Sequence, residues 1–288
     1  HVTPSAIFKP STLDDLKDIV KLAKQNGKTI RCAAQGHSVT VQEDPKYGWT
    51  VTAEAGMPLS KLDDVLRKHD PSLTLDSETV FDSFRVFGVV AVGAHSAKTS
   101  SGIISDQIVS MQIVTASGDV VTFSEEIDKQ EFNAAKVNLV TFCVQPMYNL
   151  RMSDTLYPAK EWIKLQNIKN LLEVSDGIEI FYWPFNGFNQ GDPLHPDLSK
   201  DLIWVKNWVR TNEPVTLPPE ALAQLRYNET QGIIQQYNTL QILGPYPMFT
   251  PNITASIWDA SFGGTSNTSM VLQAPDAMHF AETYHFVT

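Results

Sequence analysis

Two histidines stand at turns built from small residues, His37 in Gln35-Gly36-His37-Ser38 and His95 in Gly93-Ala94-His95-Ser96. An imidazole on such a turn can act as nucleophile, proton carrier or metal ligand, because small neighbours let a bulky partner approach the main chain. The same spacing suits loop histidines that only cap backbone groups, and at this level both readings stay open. The remaining chemistry-bearing residues narrow the field. The seven histidines are scattered, with no pair at metal-ligand spacing beside a cysteine pair. GxGxxG, P-loop, HExxH and GxSxG motifs are all absent, so the nicotinamide-fingerprint, nucleotidase, zincin and serine-hydrolase classes have no footing. Asp14, Asp15 and Asp18 read as a solvated helix face, His195 as an exposed loop residue, and His279 and His285 as surface or packing residues. Trp183, Trp204 and Trp208 read as core-filling aromatics on strands.

The bulk numbers exclude further classes. The chain has 288 residues, 42% hydrophobic and 19% charged, an ordinary globular composition long enough for one large or two modest domains. Its net charge of −10 repels phosphate backbones, so no nucleic acid partner is expected. No apolar run reaches the roughly 20 residues of a membrane span. The first residue is His1 rather than Met, which leads to the expectation that something upstream was removed. Cys32 and Cys143 lie in apolar, strand-like sequence, where buried free thiols are the commoner outcome than a bridge. N-glycosylation acceptors at Asn228, Asn252 and Asn267 lean toward a secreted protein.

The elements that must hold these turns are visible as periodic patterns. Ala6-Ile7-Phe8 reads as a short strand ending at Pro10, and Ser11 as the N-cap of a helix with Asp14 at the capping-box position. Leu13, Leu16, Ile19, Val20 and Ala23 keep helical spacing, and Asn26-Gly27 closes that helix. Residues 29–33 read as a buried strand running into the His37 turn. Residues 49–53 read as another strand, and 59–66 as a helix with Leu59, Leu62 and Leu66 on one face. The segment 87–102 is rich in Gly, Ala and Ser. Residues 108–115 and 120–123, joined by Ser117-Gly118-Asp119, read as a β-hairpin, and 139–144 as a strand. Past residue 150 come five of the six tryptophans, with strands at 181–186 and 202–208 around a polar loop at 187–201. The change of character places a domain boundary near 150, giving domains 1–150 and 151–288.

Several of these segments, in order, carry a family resemblance. Phe8-Lys9-Pro10-Ser11-Thr12 through Ile30-Arg31-Cys32-Ala33-Ala34-Gln35-Gly36-His37-Ser38 resembles the P-x-S helix and R-x-x-G-x-G-H-S strand that open FAD domains of the vanillyl-alcohol oxidase superfamily. Gly88 to Ser96, followed by Gly102-Ile103-Ile104-Ser105-Asp106-Gln107-Ile108, is similar to the G-x-x-x-x-G-x-H-G and G-x-x-x-D-x-V segments of its sugar-1,4-lactone and alditol oxidase branch. Residues 114–119 match that branch's hairpin, and 181–186 and 204–211 resemble the substrate domain of fungal D-arabinono-1,4-lactone oxidase-like proteins.

The resemblance implies an α+β fold, with a two-subdomain FAD-binding domain followed by a mixed-sheet substrate (cap) domain. It implies FAD as cofactor, bonded through its 8α-methyl to His37. Ala33, Ala34, Gln35, Gly36, His37 and Ser38 would form one turn around the cofactor, and Gly93, His95 and Ser96 a second, their N–H groups arranged as anion-binding nests. Gly102, Ile104 and Ser105 would lie along the cofactor, with Val140 toward the adenine. The implied reaction oxidises a hydroxyl of a sugar lactone or polyol, with molecular oxygen as acceptor and hydrogen peroxide as product. Departures are also plain. Ala34 replaces a glycine, Ser96 replaces the glycine of H-G, and only about ten residues separate Ser38 from Trp49, where the family has an extra strand. A C-terminal His-Trp-x-Lys segment is not present before Thr288, where residues 277–280 read instead as a late substrate-domain strand, so the chain is expected to be incomplete or a degenerate relative, and no catalytic base is assigned. Two other readings remain: a flavin oxidase for another alcohol or an oligosaccharide, and a non-catalytic glycoprotein module that keeps the fold.

Overall fold

The computed structural model describes residues 4–32, 36, 38–79, 82–127, 132, 139–162, 165–183, 198–217, 220–224 and 269–280. The expectations for Ala33, Ala34, Gln35, His37, residues 184–197 with His195, His285 and the acceptors Asn228, Asn252 and Asn267 fall outside these, as does the side chain of Trp183. The chain forms two units, one of His1–Asp76, Asp82–Ala94 and Ile103–Gln145, the other of Ser77–Phe81, His95–Gly102 and Pro146–Thr288.

In the first unit the three residues 45–47 turn the chain and make the first hairpin. β1 (Val39–Asp44) and β2 (Gly48–Glu54) pair antiparallel. Asp44 Oδ1 accepts the N–H groups of Lys46 and Tyr47 at 2.8 and 3.0 Å, and Gly48 supplies a φ of +75° on exit. The short stretch between Ser38 and Trp49 therefore does hold an extra strand, because a side-chain-stabilised turn needs few residues. β2 continues on its other side to β6 (Leu139–Pro146), and β6 pairs with β4 (Ile108–Val114). The hairpin from β4 to β5 (Val120–Ser124) closes through Thr115 N–H on Asp119 O and Gly118 at φ +86°. The order is β1-β2-β6-β4-β5, with the two-residue β3 (Leu73–Thr74) also paired to β6.

Helix α2 (Leu59–Lys68) covers this sheet with the face expected from its spacing: Leu59, Leu62 and Leu66 are fully buried beside Val51, Phe142 and Val140. Helix α1 (Leu13–Gln25) buries no residue completely. Its cap lies one residue later than expected. Thr12 Oγ1 accepts Asp15 N–H at 3.1 Å, and Asp15 Oδ2 accepts the N–H groups of both Ser11 and Thr12 at 2.9 Å. The Ser11–Asp14 frame would lack this double return bond, which is why the later frame wins. The Ser11 N–H, then the Thr12 contacts, hold the Asp15 carboxyl below its ordinary value.

Two expected strands are absent. Residues 6–8 and 29–32 are irregular and exposed, Ile7 at 77%. An apolar run becomes a strand only where a neighbour accepts and donates its ladder bonds, and among the described residues neither segment has one. Nor do the cysteines behave as expected. Both are free, but Cys32 is exposed, and Cys143 is half-buried in β6 with its thiol donating to Tyr47 O at 3.4 Å. Burial first, then Asp76 and Asp44, push the Cys143 thiol up, which keeps it protonated.

In the second unit β7 (Asn149–Pro158), β8 (Gly177–Trp183), β9 (Leu202–Thr211) and β10 (Ser269–Gln273) order as β10-β7-β9-β8. Among the described residues all three pairings are antiparallel. Helices α4 (Ala159–Trp162) and α5 (Leu165–Val174) follow β7, and Ile168 and Leu171 pack on one face of the sheet against Ile203 and Val205. The opposite face meets α6 (Ala274–Phe280) through Leu150, Met152, Trp208 and Leu272. Residues 277–280 are thus helical rather than a strand, since Pro275 presets helical φ in the first turn and Ala274, Ala277 and Met278 share a face. Trp204 and Trp208 are buried as expected, their indole N–H groups donating to Asp154 and to Ala277 O. His279 is a buried packing residue, with Nδ1 2.9 Å from Thr79 O and Nε2 2.9 Å from Glu78 Oε2. Helix α3 (Val86–Ala91) belongs to the first unit.

The core of the first unit rests on α2. Leu62→Ala should cost about 2–5 kcal/mol, seen as a lower denaturation midpoint with an unchanged slope. A change below about 0.5 kcal/mol would show that α2 does not seal this core.

Candidate functional site

The first turn singled out by its small residues is built by contact between backbones. Gly36 is buried, and a Cβ placed on it would lie 2.6 Å from Met57 N and 3.0 Å from both Met57 Cα and Glu54 Cβ. The glycine is required because another stretch of main chain occupies the space of a side chain. Its neighbour Ser38 accepts Glu54 N–H through its carbonyl at 3.3 Å. The 54–57 segment is closed by Met57 N–H on Glu54 O at 2.9 Å, and two bonds from the start of α3 hold it: Val86 N–H on Met57 O at 2.8 Å and Phe87 N–H on Ala55 O at 2.9 Å. Gly56-Met57-Pro58 reads as a turn from sequence, but its role as the seat of residue 36 does not.

The second turn differs from its expected form. Gly93 leaves α3 at φ +65°, its N–H on Val90 O at 3.3 Å, and Ala94 N–H reaches Val89 O at 3.0 Å. These two donors cap the helix, so the nest expected from Gly93 to Ser96 does not have them facing outward. Ala94 O accepts Ile104 N–H at 2.8 Å, which brings the end of α3 beside the 3₁₀ turn Ile104–Gln107. His95, Ser96 and Gly102 belong to the second unit. There His95 is exposed with Nδ1 3.1 Å from Ser96 O, Ser96 Oγ meets Lys98 N–H and Ser77 Oγ, and Gly102 is exposed.

Three more of the expected residues are buried in the first unit. Ile104 and Val140 are fully enclosed, Val140 opposite Ala53 on one side and Met111 on the other. Ser105 is buried and its hydroxyl has no hydrogen-bond partner. A buried hydroxyl without a partner costs about 1–3 kcal/mol, so its presence calls for a reason. Nearby in sequence, Asp76 N–H donates to Gln107 Oε1 at 2.8 Å and Gln145 Nε2 to Asp76 Oδ1 at 2.6 Å, a polar group with no clear motif in the sequence. The unit thus joins Ser38, the 54–57 turn, α3 and the Ile104–Ser105 turn by backbone bonds, with Gly36 packed against the 54–57 turn.

Comparison with known proteins gives this arrangement a class. Residues 40–124 match the family profile described as FAD binding domain, which covers Gly93, Ile104 and Ser105. In sequence the chain is similar to curated lactone oxidases. It is 24% identical to D-arabinono-1,4-lactone oxidase of Candida glabrata over 90% of this chain and 51% of that protein. It is 25% identical to L-gulonolactone oxidase of Bos taurus, over 63% and 46%. Among solved structures, cholesterol oxidase from Brevibacterium sterolicum superposes with a TM-score of 0.59 at 16% identity, covering 93% of this chain and 57% of that one. The fold is therefore the α+β fold of vanillyl-alcohol oxidase-type FAD oxidases, and the chain spans about half the length of the curated relatives it matches. No helix among the described residues is long and apolar enough to cross a membrane.

One feature of the first unit fits a flavin nucleotide. The Ser105 hydroxyl is a buried donor that the protein itself leaves unused. Ser105→Ala should therefore separate two properties. Stability without FAD should hold or rise by about 1 kcal/mol, because an unpaired buried hydroxyl is removed. FAD affinity should fall. Thermal melts with and without added FAD measure both, and a loss of apo stability with unchanged affinity would assign Ser105 to the fold alone.

Proposed function

We propose that this chain is the FAD-binding part, with adjoining substrate-domain sheet, of an FAD-dependent oxidase that acts on a hydroxyl of a sugar lactone or polyol. Dioxygen would be the electron acceptor and hydrogen peroxide the product. The observation that carries the proposal is the alignment with D-arabinono-1,4-lactone oxidase over 90% of this chain, running through the stretch that matches the FAD binding domain. FAD, when bound, supplies the two-electron redox chemistry that no side chain has.

The residues of the chain would hold and tune that cofactor. His37 would attach it, since a neutral imidazole is a competent nucleophile. Gly36 and Ser38, anchored to the 54–57 turn, would fix the main chain on either side. The Ser105 hydroxyl would donate to a cofactor acceptor, and Ile104 and Val140 would close the site to water from the core side. Dry apolar walls strengthen each such polar contact.

A visible absorption spectrum before and after acid precipitation, followed by a peroxide assay, tests the proposal. Flavin bands that remain in the pellet, with peroxide formed from D-arabinono-1,4-lactone, L-gulono-1,4-lactone or a polyol, are the expected result. Flavin released to the supernatant would remove the attachment through His37. A folded, colourless protein that takes up no added FAD would overturn the proposal.

A further inference from the structure

The two residues flanking position 37 are held by the same turn. Gly36 lies against Met57 N, where a Cβ would come within 2.6 Å, and Ser38 O accepts Glu54 N–H. That turn is braced by α3, through Val86 N–H on Met57 O and Phe87 N–H on Ala55 O. Two further bonds from the 82–84 segment, Phe84 O to Leu59 N–H at 3.0 Å and Asp82 O to Ser60 N–H at 2.8 Å, fix the start of α2 directly after the turn. Met57 and Val86 are fully buried, so the brace cannot shift without opening the core.

We infer that the 54–57 turn and its brace on α3 are the positioning device for flavin attachment, with Gly36, Met57 and Val86 acting through residue 37 rather than on the cofactor. The inference rests on the proposed attachment to His37. Attachment replaces one C–H bond of the 8α-methyl by a C–N bond to the imidazole. The methyl proton and the imidazole N–H proton leave, and the two electrons stay on the flavin until dioxygen takes them up with two protons as hydrogen peroxide. Such a bond forms only when nitrogen and carbon are held in near-attack geometry, and main-chain displacements of about 1 Å can cost on the order of 100-fold in rate. At Gly36 a Cβ would force a displacement of that kind, because its nearest neighbours are backbone atoms that have no rotamer to yield.

The test follows the rate at which FAD added to apoprotein becomes acid-precipitable, as a fraction of the flavin bound. Gly36→Ala should slow attachment on the order of 100-fold while the variant still binds FAD reversibly. Val86→Pro is the second variant. Val86 is the first residue of α3, where proline is well tolerated, and Arg85 before it is extended at φ −87° and ψ 140°, as a residue preceding proline requires. It removes the N–H that braces Met57 O without touching Gly36, and should slow attachment by a smaller factor. Apoprotein melting shows that each variant is folded, and if Gly36→Ala does not fold, Val86→Pro decides. Folded variants that attach FAD at the wild-type rate would overturn the inference while leaving attachment intact. Wild-type protein that binds FAD but releases all of it in acid would overturn the attachment itself, a distinct result.

Discussion

Where Gly36 meets Met57, two stretches of main chain come closer than any side chain would permit, with a Cβ position 2.6 Å from a backbone nitrogen. The geometry of the first unit follows from that approach. The 54–57 turn ends β2 and starts α2, so whatever seats Gly36 also sets the angle between sheet and helix. The turn in turn receives the first two N–H donors of α3, which no helix can satisfy internally. α3 then ends at Gly93, whose positive φ returns the chain to the Ile104–Ser105 turn by way of Ala94 O. Unpaired helix-end groups, usually left to water, here become the connectors of the site.

The site is accordingly a product of backbone bonding more than of side-chain chemistry. A net charge of −10 suits this arrangement, since the chain relies on main-chain groups and a buried hydroxyl near the expected cofactor. Ser105 stands out because a hydroxyl buried without a partner is a standing cost in the free protein, and a bound flavin nucleotide would supply the acceptor. The second unit follows different rules. Its four-stranded antiparallel sheet is covered by helices on alternate faces, and it even encloses Lys206, 3.5 Å from Glu179 on the adjacent strand and 4.8 Å from the Trp204 ring.

Much of this was legible wherever local chemistry alone decides. The Ser117-Gly118-Asp119 hairpin and the Leu59-Leu62-Leu66 face carry their own turn and spacing signals, and both form as read. Failures cluster where a neighbour decides. Residues 6–8 and 29–32 have strand-like composition but no ladder partner, and 277–280 follow Pro275 into a helix. The cap of α1 slid by one residue because two overlapping Ser/Thr-x-x-Asp frames compete, and only geometry shows that Asp15 reaches two N–H groups. In the site, the motif located Gly36 but suggested room for a cofactor as its reason; the packing against Met57 depends on residues about twenty positions away and leaves no periodic trace. The N–H of Gly93 reads from sequence as part of an anion nest, but the end of α3 takes it together with that of Ala94.

The most direct test of where the cofactor sits is amide hydrogen exchange with and without FAD. Slowed exchange at residues 54–57, 86–94 and 104–105 together, with little change in the α1 amides, is the pattern this account requires. Protection confined to the second unit, or none anywhere despite FAD binding, would contradict it.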